Sequence, residues 1–217
     1  MKYSKAFLNR FITILAAILS INSAQQKTIA AQCPCDIYAG GGTPCVAAHS
    51  TVRALYGSYN GPLYQVTRKS DKKTIDIGVL TPGGVANAAA QDSFLTGTSG
   101  SISIIYDQSM NRNHLSPAPS GGWPPAETAA AATAAKIMIN GHTAYGIYTT
   151  AGNFPGATQF PGVGYRNDST RGVATGNQAE GIYMVCSGKH YNQWCCFDYG
   201  NAQTNNQDNG NGSMETI

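Results

Sequence analysis

From residue 33 onward the apolar positions fall in short runs rich in Ile, Val, Tyr and Thr, broken roughly every ten residues by Gly, Pro, Asn or Ser. Runs of that length between turn residues predict strands. The clearest is SISIIYD, residues 101–107, where alternation gives way to an apolar pair; TIDIGVL, HTAYGIYTT and GIYMVCSG follow the same pattern more weakly. Helical spacing is sparse. CVAAHSTVRALY, residues 45–56, sets Val46, Ala47, Val52, Ala54 and Leu55 loosely on one helical face, and GGVANAAAQDSF holds a second short helical candidate. The alanine-rich AETAAAATAA is too short to be stable as an isolated helix and is expected as a surface turn or loop. The pattern predicts an all-β domain, a sandwich or barrel with short helices, and no internal repeat.

The first 24 residues follow a different rule. Lys2, Lys5 and Arg10 precede the apolar run FITILAAILSI, and small residues follow up to Ala24. That is the three-part layout of a secretory signal, with cleavage expected after residue 24 or as late as 31, and the run is too short for an ordinary membrane span. The expected mature chain is a single exported domain, residues 33–217, with no membrane partner. Four of the 14 basic residues, Lys2, Lys5, Arg10 and Lys27, precede Cys33, whereas all 11 acidic residues follow it. Ten basic residues then face eleven acidic ones, so the formal charge of +3 belongs to the leader and gives no support for nucleic-acid binding.

All six cysteines lie in the exported part, where an oxidising compartment makes disulfides the default. Cys195 and Cys196 are adjacent in HYNQWCCFDYGNA. Neighbouring Cα atoms stand about 3.8 Å apart, less than the spacing of an ordinary disulfide, so a bridge between them is strained. Two sequons, at Asn167 and Asn211, fit N-glycosylation in a eukaryotic host.

Candidate chemistry narrows the classes. AGGGTPC lacks the Walker spacing and its Lys-Ser/Thr, and no Gly-x-Ser-x-Gly elbow occurs. His49, His114, His142 and His190 are scattered without a zinc-ligand spacing, so no metal or other cofactor is implied. The carboxylates Asp36, Asp92, Asp107, Glu180, Asp198 and Glu215 could supply a glycosidase pair, but spacing alone pairs none of them, and each is individually expected as a turn, cap or salt-bridge residue. Tyr191, Trp194, Phe197 and Tyr199, interleaved with Asn and Gly, suit the apolar face of a sugar and would serve equally to fill a core.

Six ordered blocks then carry a resemblance: CDIYAGGGTPCVAAHSTVRALY, TPGGVANAAAQDSF, SIIYDQSMNRNHL, GYRN, AEGIYMV and HYNQWCCFDYGNA. Together they resemble the N-terminal catalytic domain of the secreted α-L-arabinofuranosidase B enzymes, glycoside hydrolase family 54. The resemblance implies a concanavalin-like β-sandwich of the jelly-roll type, here incomplete. It also implies retaining hydrolysis of terminal α-L-arabinofuranosyl groups, with arabinose-containing polysaccharides or oligosaccharides such as arabinoxylan and arabinan as partners. Cys35 and Cys45 match the family's first disulfide. Cys195 and Cys196 match its adjacent pair, which forms a vicinal bridge against the bound arabinose. A rigid ring of that kind gives the sugar a fixed, polarizable face.

Departures bear on activity. DSFLTGTSG, with Leu95 and Gly100, lacks a middle disulfide of the family, while Cys33 and Cys186 have no family counterpart and are expected either to pair with each other or to be separate thiols. The family nucleophile lies in an Asp-x-Glu-Asn stretch after the segment matching GSMETI, and its acid/base aspartate lies further on. Glu215 aligns with an upstream glutamate, so no catalytic residue is assigned within the 217 residues. The expectation is an inactive fragment that ends as a strand begins and leaves an unpaired edge. The alternative is a non-catalytic, lectin-like sugar-binding module.

Overall fold

The computed structural model describes residues 32–120, 126–149, 162–189, 199–202 and 213–216. The chain divides into two units, Met1–Ala30 and Ala31–Ile217, and every described residue belongs to the second.

The chain enters the domain through a short helix, α1, Pro34–Gly40. Proline suits this start because its missing N–H would have no helical partner. Asp36 accepts the Cys33 backbone N–H at 3.0 Å and the Gly57 N–H at 2.7 Å, fixing the helix start to a distant turn. A disulfide joins Cys35 to Cys45, with Cα atoms 5.6 Å apart, and Cys33 and Cys186 are free thiols.

The first sheet is antiparallel, in the order β2–β1–β3, from β1 (Pro62–Arg68), β2 (Thr74–Gly78) and β3 (Gly100–Ile105). Tyr64 pairs with Ile77 on one side and Ile105 on the other, and Val66 with Ile75 and Ile102, so one face is a continuous apolar layer. Gln65, Asp76 and Ser103 occupy the other face, where Gln65 donates to Asp76 at 3.0 Å and Ser103 donates to Gln65 Oε1 at 3.0 Å. This alternation makes a half-buried strand. Between β2 and β3 runs α2, Ala88–Phe94, capped by the Asn87 side chain accepting from the Ala90 N–H. Gln91 is wholly buried on α2 yet satisfied, accepting from the Tyr64 hydroxyl at 2.8 Å and donating to the Ala132 carbonyl at 2.9 Å.

The second sheet has the order β4–β7–β9–β8, from β4 (Ser116–Pro117), β7 (Tyr165–Asn167), β8 (Tyr199–Ala202) and β9 (Ser213–Thr216). Tyr165 locks it onto the first: its hydroxyl donates to the Ile102 carbonyl at 2.7 Å and accepts from the Ala130 N–H at 2.8 Å, both inside one apolar core. A separate hairpin, β5 (Ala135–Ile139) and β6 (His142–Gly146), turns at Asn140 and Gly141, both at positive φ, the pair that a tight hairpin requires. The fold is an antiparallel β-sandwich with short helices. Among the described residues no helix is long and apolar enough to cross a membrane.

Four sequence expectations are corrected. Residues 45–56 form no helix; His49 and Arg53 instead make isolated β-bridges to Asp107 and Val85. Residues 181–188 form no strand. The alanine tract is irregular but not superficial: it bridges to β3 at Ala131–Ser101, with the Ile102 N–H donating to the Ala130 carbonyl and the Ala132 N–H to the Gly100 carbonyl, both at 2.9 Å, and Ala130 and Ala132 are completely buried. Finally, β9 is no edge: it pairs with both β7 and β8.

Candidate functional site

Cys195 and Cys196 lie outside the described residues, as does Asn211. The structure does define the framework into which their segment returns at β8. Tyr199, the first residue of β8, has its hydroxyl 3.0 Å from His49 Nδ1, with the rings edge to face at 5.9 Å. His49 Nε2 is 2.7 Å from the Asn113 carbonyl oxygen. A carbonyl can only accept, so Nε2 carries the proton and Nδ1 accepts from Tyr199. Burial pushes the His49 pKa down, against the opposing pull of the Asp107 charge. Burial pushes the Tyr199 hydroxyl up, and the Asp107 charge adds to it. The pair is therefore neutral imidazole and neutral phenol at pH 7.

Asp107 holds the loop beneath that pair. It is buried and accepts four hydrogen bonds: the Ala48 N–H at 2.7 Å, the Ser109 N–H at 2.8 Å, the Ser109 hydroxyl at 2.6 Å and the Asn113 N–H at 2.8 Å. Asn113 extends the hold. Its carboxamide donates to the Arg171 and Val46 carbonyls and accepts the Arg171 N–H. Asn201, on β8, donates to the Ala174 carbonyl at 2.7 Å. The sequence block SIIYDQSMNRNHL thus ties together residues 46–49, Arg171 and, through His49, Tyr199 of β8.

Two of the other candidate carboxylates serve structure. Asp36 caps α1; Asp92 accepts the Tyr145 hydroxyl at 2.7 Å, and burial together with that bond pushes the Tyr145 pKa up to about 12. Glu180 is exposed, Asp198 lies outside the described residues, and the backbone of Glu215 pairs in β9 with Arg166 and Gly200. Asn167 sits at the end of β7, its amide nitrogen donating to the His114 carbonyl and its oxygen accepting the Ser169 N–H. Among the described residues no three His, Cys, Asp or Glu side chains converge to hold a metal.

An open cleft of about 270 Å³ lies between the start of α2 and the β5–β6 turn, lined by Leu80, residues 86–89, Asp92 and residues 141–143. Among the described residues that line it Asp92 is the one carboxylate, and retaining glycoside hydrolysis needs two, about 5 Å apart. The described lining of this cleft therefore contains no acid/base pair.

Fold and sequence together match a glycosidase catalytic domain: residues 34–217 fit the family model described as α-L-arabinofuranosidase B, catalytic. The chain belongs to the α-L-arabinofuranosidase B family. It is 52% identical over 207 residues to a probable α-L-arabinofuranosidase B of Aspergillus fumigatus and 51% identical over the same length to an α-L-arabinofuranosidase of Hypocrea jecorina. Each alignment takes in 93% of this chain and 39% of the relative, so the chain spans about two fifths of those relatives' length. Among solved structures it resembles an arabinofuranosidase complexed with arabinofuranosyl-α-1,2-xylobiose (TM-score 0.73, 50% identity, 82% of this chain and 36% of that one). It also resembles a GH54 α-L-arabinofuranosidase soaked with a cyclic sulfate inhibitor (TM-score 0.74, 50% identity, 82% and 36%).

Of the residues singled out from sequence, the structure brings Cys35 to Cys45 and Tyr199 to the His49 and Asp107 loop. Sequence reasoning expected Asp107 as a turn, cap or salt-bridge residue, in keeping with its bonds to loop N–H groups, but missed Asn113. The signal was present in the Asp-x-Ser-x-Asn-x-Asn spacing of residues 107–113, whose side chains favour local bonds to the backbone.

Proposed function

We propose that this chain is the sugar-pocket part of an exported, retaining α-L-arabinofuranosidase that acts on terminal α-L-arabinofuranosyl groups of arabinoxylan or arabinan. The observation that carries the reading is the family match over residues 34–217, joined to the link from His49 to Tyr199, a residue that follows the adjacent cysteines closely in sequence. In this reading Cys195 and Cys196 form a vicinal bridge that presents a flat sulfur face to arabinose. In this reading, as the family resemblance implies, the two reacting carboxylates lie outside residues 33–217; in keeping with it, Asp107 accepts four hydrogen bonds, and Asp36 and Asp92 are tied to a cap and a tyrosine.

The 217-residue chain alone is therefore expected to release no nitrophenol from 4-nitrophenyl α-L-arabinofuranoside above the buffer rate, because losing acid and nucleophile costs several orders of magnitude. Release that disappears on substituting Asp92, Asp107 or Glu180 would overturn this placement. Saturable arabinose binding without hydrolysis, followed by tryptophan fluorescence, would support the non-catalytic module instead.

A further inference from the structure

The turn that joins β1 to β2, residues 68–73, reads RKSDKK and holds four of the ten basic residues that follow Cys33, in a chain whose charges otherwise nearly cancel. Its backbone is held at several points. The Arg68 N–H donates to the Lys73 carbonyl at 2.8 Å, the Lys72 N–H to the Arg68 carbonyl at 3.0 Å, and the Lys69 N–H to the Ser99 carbonyl at 2.9 Å, which ties the turn to the residue before β3. Its charges differ in their partners. Arg68 lies over the Phe94 ring of α2 at 4.4 Å, donates to the Phe94 carbonyl at 3.1 Å, and grips Asp71 through two hydrogen bonds of 2.9 and 2.7 Å, so the turn's one carboxylate is taken by its arginine. Lys73 stands 3.8 Å from the same carboxylate with its side chain 73% exposed. Among the described residues Lys69 and Lys72, both exposed, have no carboxylate partner. Lys72 adds a second observation. Its φ is +62, the left-handed region that glycine or asparagine enters at less steric cost, so the tip keeps a cation where the backbone favours an uncharged residue. Local backbone cost of this kind persists where the surroundings enforce it and clusters at binding sites.

We infer that Lys69, Lys72 and Lys73 form a binding edge for the carboxylates of an acidic polysaccharide, a polymer of uronic-acid units. Three exposed ammonium groups on a fixed tip complement a repeated negative charge better than a single anion, which needs donors that converge. Nucleic acid fits less well: the arginine and the ring that could stack on a base are already stacked on each other, and residues 33–217 carry no net positive charge. The choice of a polysaccharide among polyanions rests on the proposed function, whereas the anion site rests on the turn alone.

Affinity electrophoresis of the full 217-residue chain tests it, in gels cast with sodium polygalacturonate, with the same polymer fully methyl-esterified, or with neutral arabinan. At low ionic strength the chain should bind the acid at least ~tenfold more tightly than the ester, and the difference should vanish by about 0.2 M salt, where screening reaches below about 8 Å. Substituting Lys69, Lys72 and Lys73 together by Gln should abolish it. Lys72→Asn separates charge from conformation: it should weaken binding about fivefold without lowering the melting temperature, because asparagine accepts a positive φ. The inference is overturned by equal affinity for acid and ester, by acid binding that survives the triple substitution or the added salt, by a Lys72→Asn chain that melts lower or binds as tightly, or by equal affinity for duplex DNA. Arabinan is read separately. Binding to arabinan but not to polygalacturonate removes this inference alone, and the converse removes the arabinose reading alone.

Discussion

Asp107 organises the loop that meets Tyr199 through His49. Its carboxylate is buried and shared among the Ala48, Ser109 and Asn113 backbones and the Ser109 hydroxyl. Truncation to alanine leaves three backbone donors without a partner, each a buried polar group costing about 1–3 kcal/mol. Asp107→Ala should therefore lower unfolding free energy by at least ~3 kcal/mol in urea denaturation. His49 gives a pH signature. Its folded pKa lies below the unfolded value of 6.5, so the unfolded chain takes up a proton first as pH falls. Its stabilising contribution is complete above 6.5 and is lost as pH falls toward the lower folded value; His114, lowered likewise by burial, acts in the same direction. Stability should decline between pH 7.5 and 5, and His49→Gln should reduce that slope by no more than ~1.4 kcal/mol per pH unit. An unchanged slope would remove the buried neutral imidazole from the account.

At the scale of elements, the legibility of the sequence followed the periodicity. The strands β2, β3 and β6 and the helix α2 were readable because their apolar positions alternate or recur with the right period and their ends carry Gly, Thr or Asn. Two central elements were not. β1 mixes Pro62, Gln65 and Arg68 with its apolar residues, and its strand character comes from lying between β2 and β3 with a bulge on each side. The alanine tract was read as surface because alanine carries little pattern, yet Ala130 and Ala132 are buried where the tract bridges to β3. Conversely, residues 45–56 have helical spacing that long-range bridges override. One glycine also carries an element: Gly83 has φ +72, and a Cβ there would lie 2.5 Å from the Gly57 carbonyl oxygen. Gly83→Ala should lower the melting temperature by several degrees, through strain of about 1–3 kcal/mol. Wild-type stability for that variant would show that the turn rearranges.

For the molecule as a whole, the family and the β-sandwich could be read from six ordered sequence blocks, and fold and comparisons agree with both. The interplay of the two sheets could not. It depends on Tyr165 reaching the Ile102 carbonyl and Ala130 N–H, and on Tyr199 reaching His49 across 150 residues, contacts that no local pattern records. Cross-links matter at this scale as well. Closing the loop between Cys35 and Cys45 is worth about 2–3 kcal/mol in chain entropy, so Cys35→Ser with Cys45→Ser should shift the denaturation midpoint accordingly.

A single measurement reaches both the fold and the proposed sugar face: peptide mapping by mass spectrometry of the unreduced chain, expressed for export, after alkylation of free thiols in denaturant, which exposes the buried Cys33. The account predicts three outcomes together, a Cys35–Cys45 link, a Cys195–Cys196 link within one peptide, and alkylated Cys33 and Cys186. A Cys33–Cys186 bridge, or either of Cys195 and Cys196 alkylated or joined to another cysteine, would contradict it.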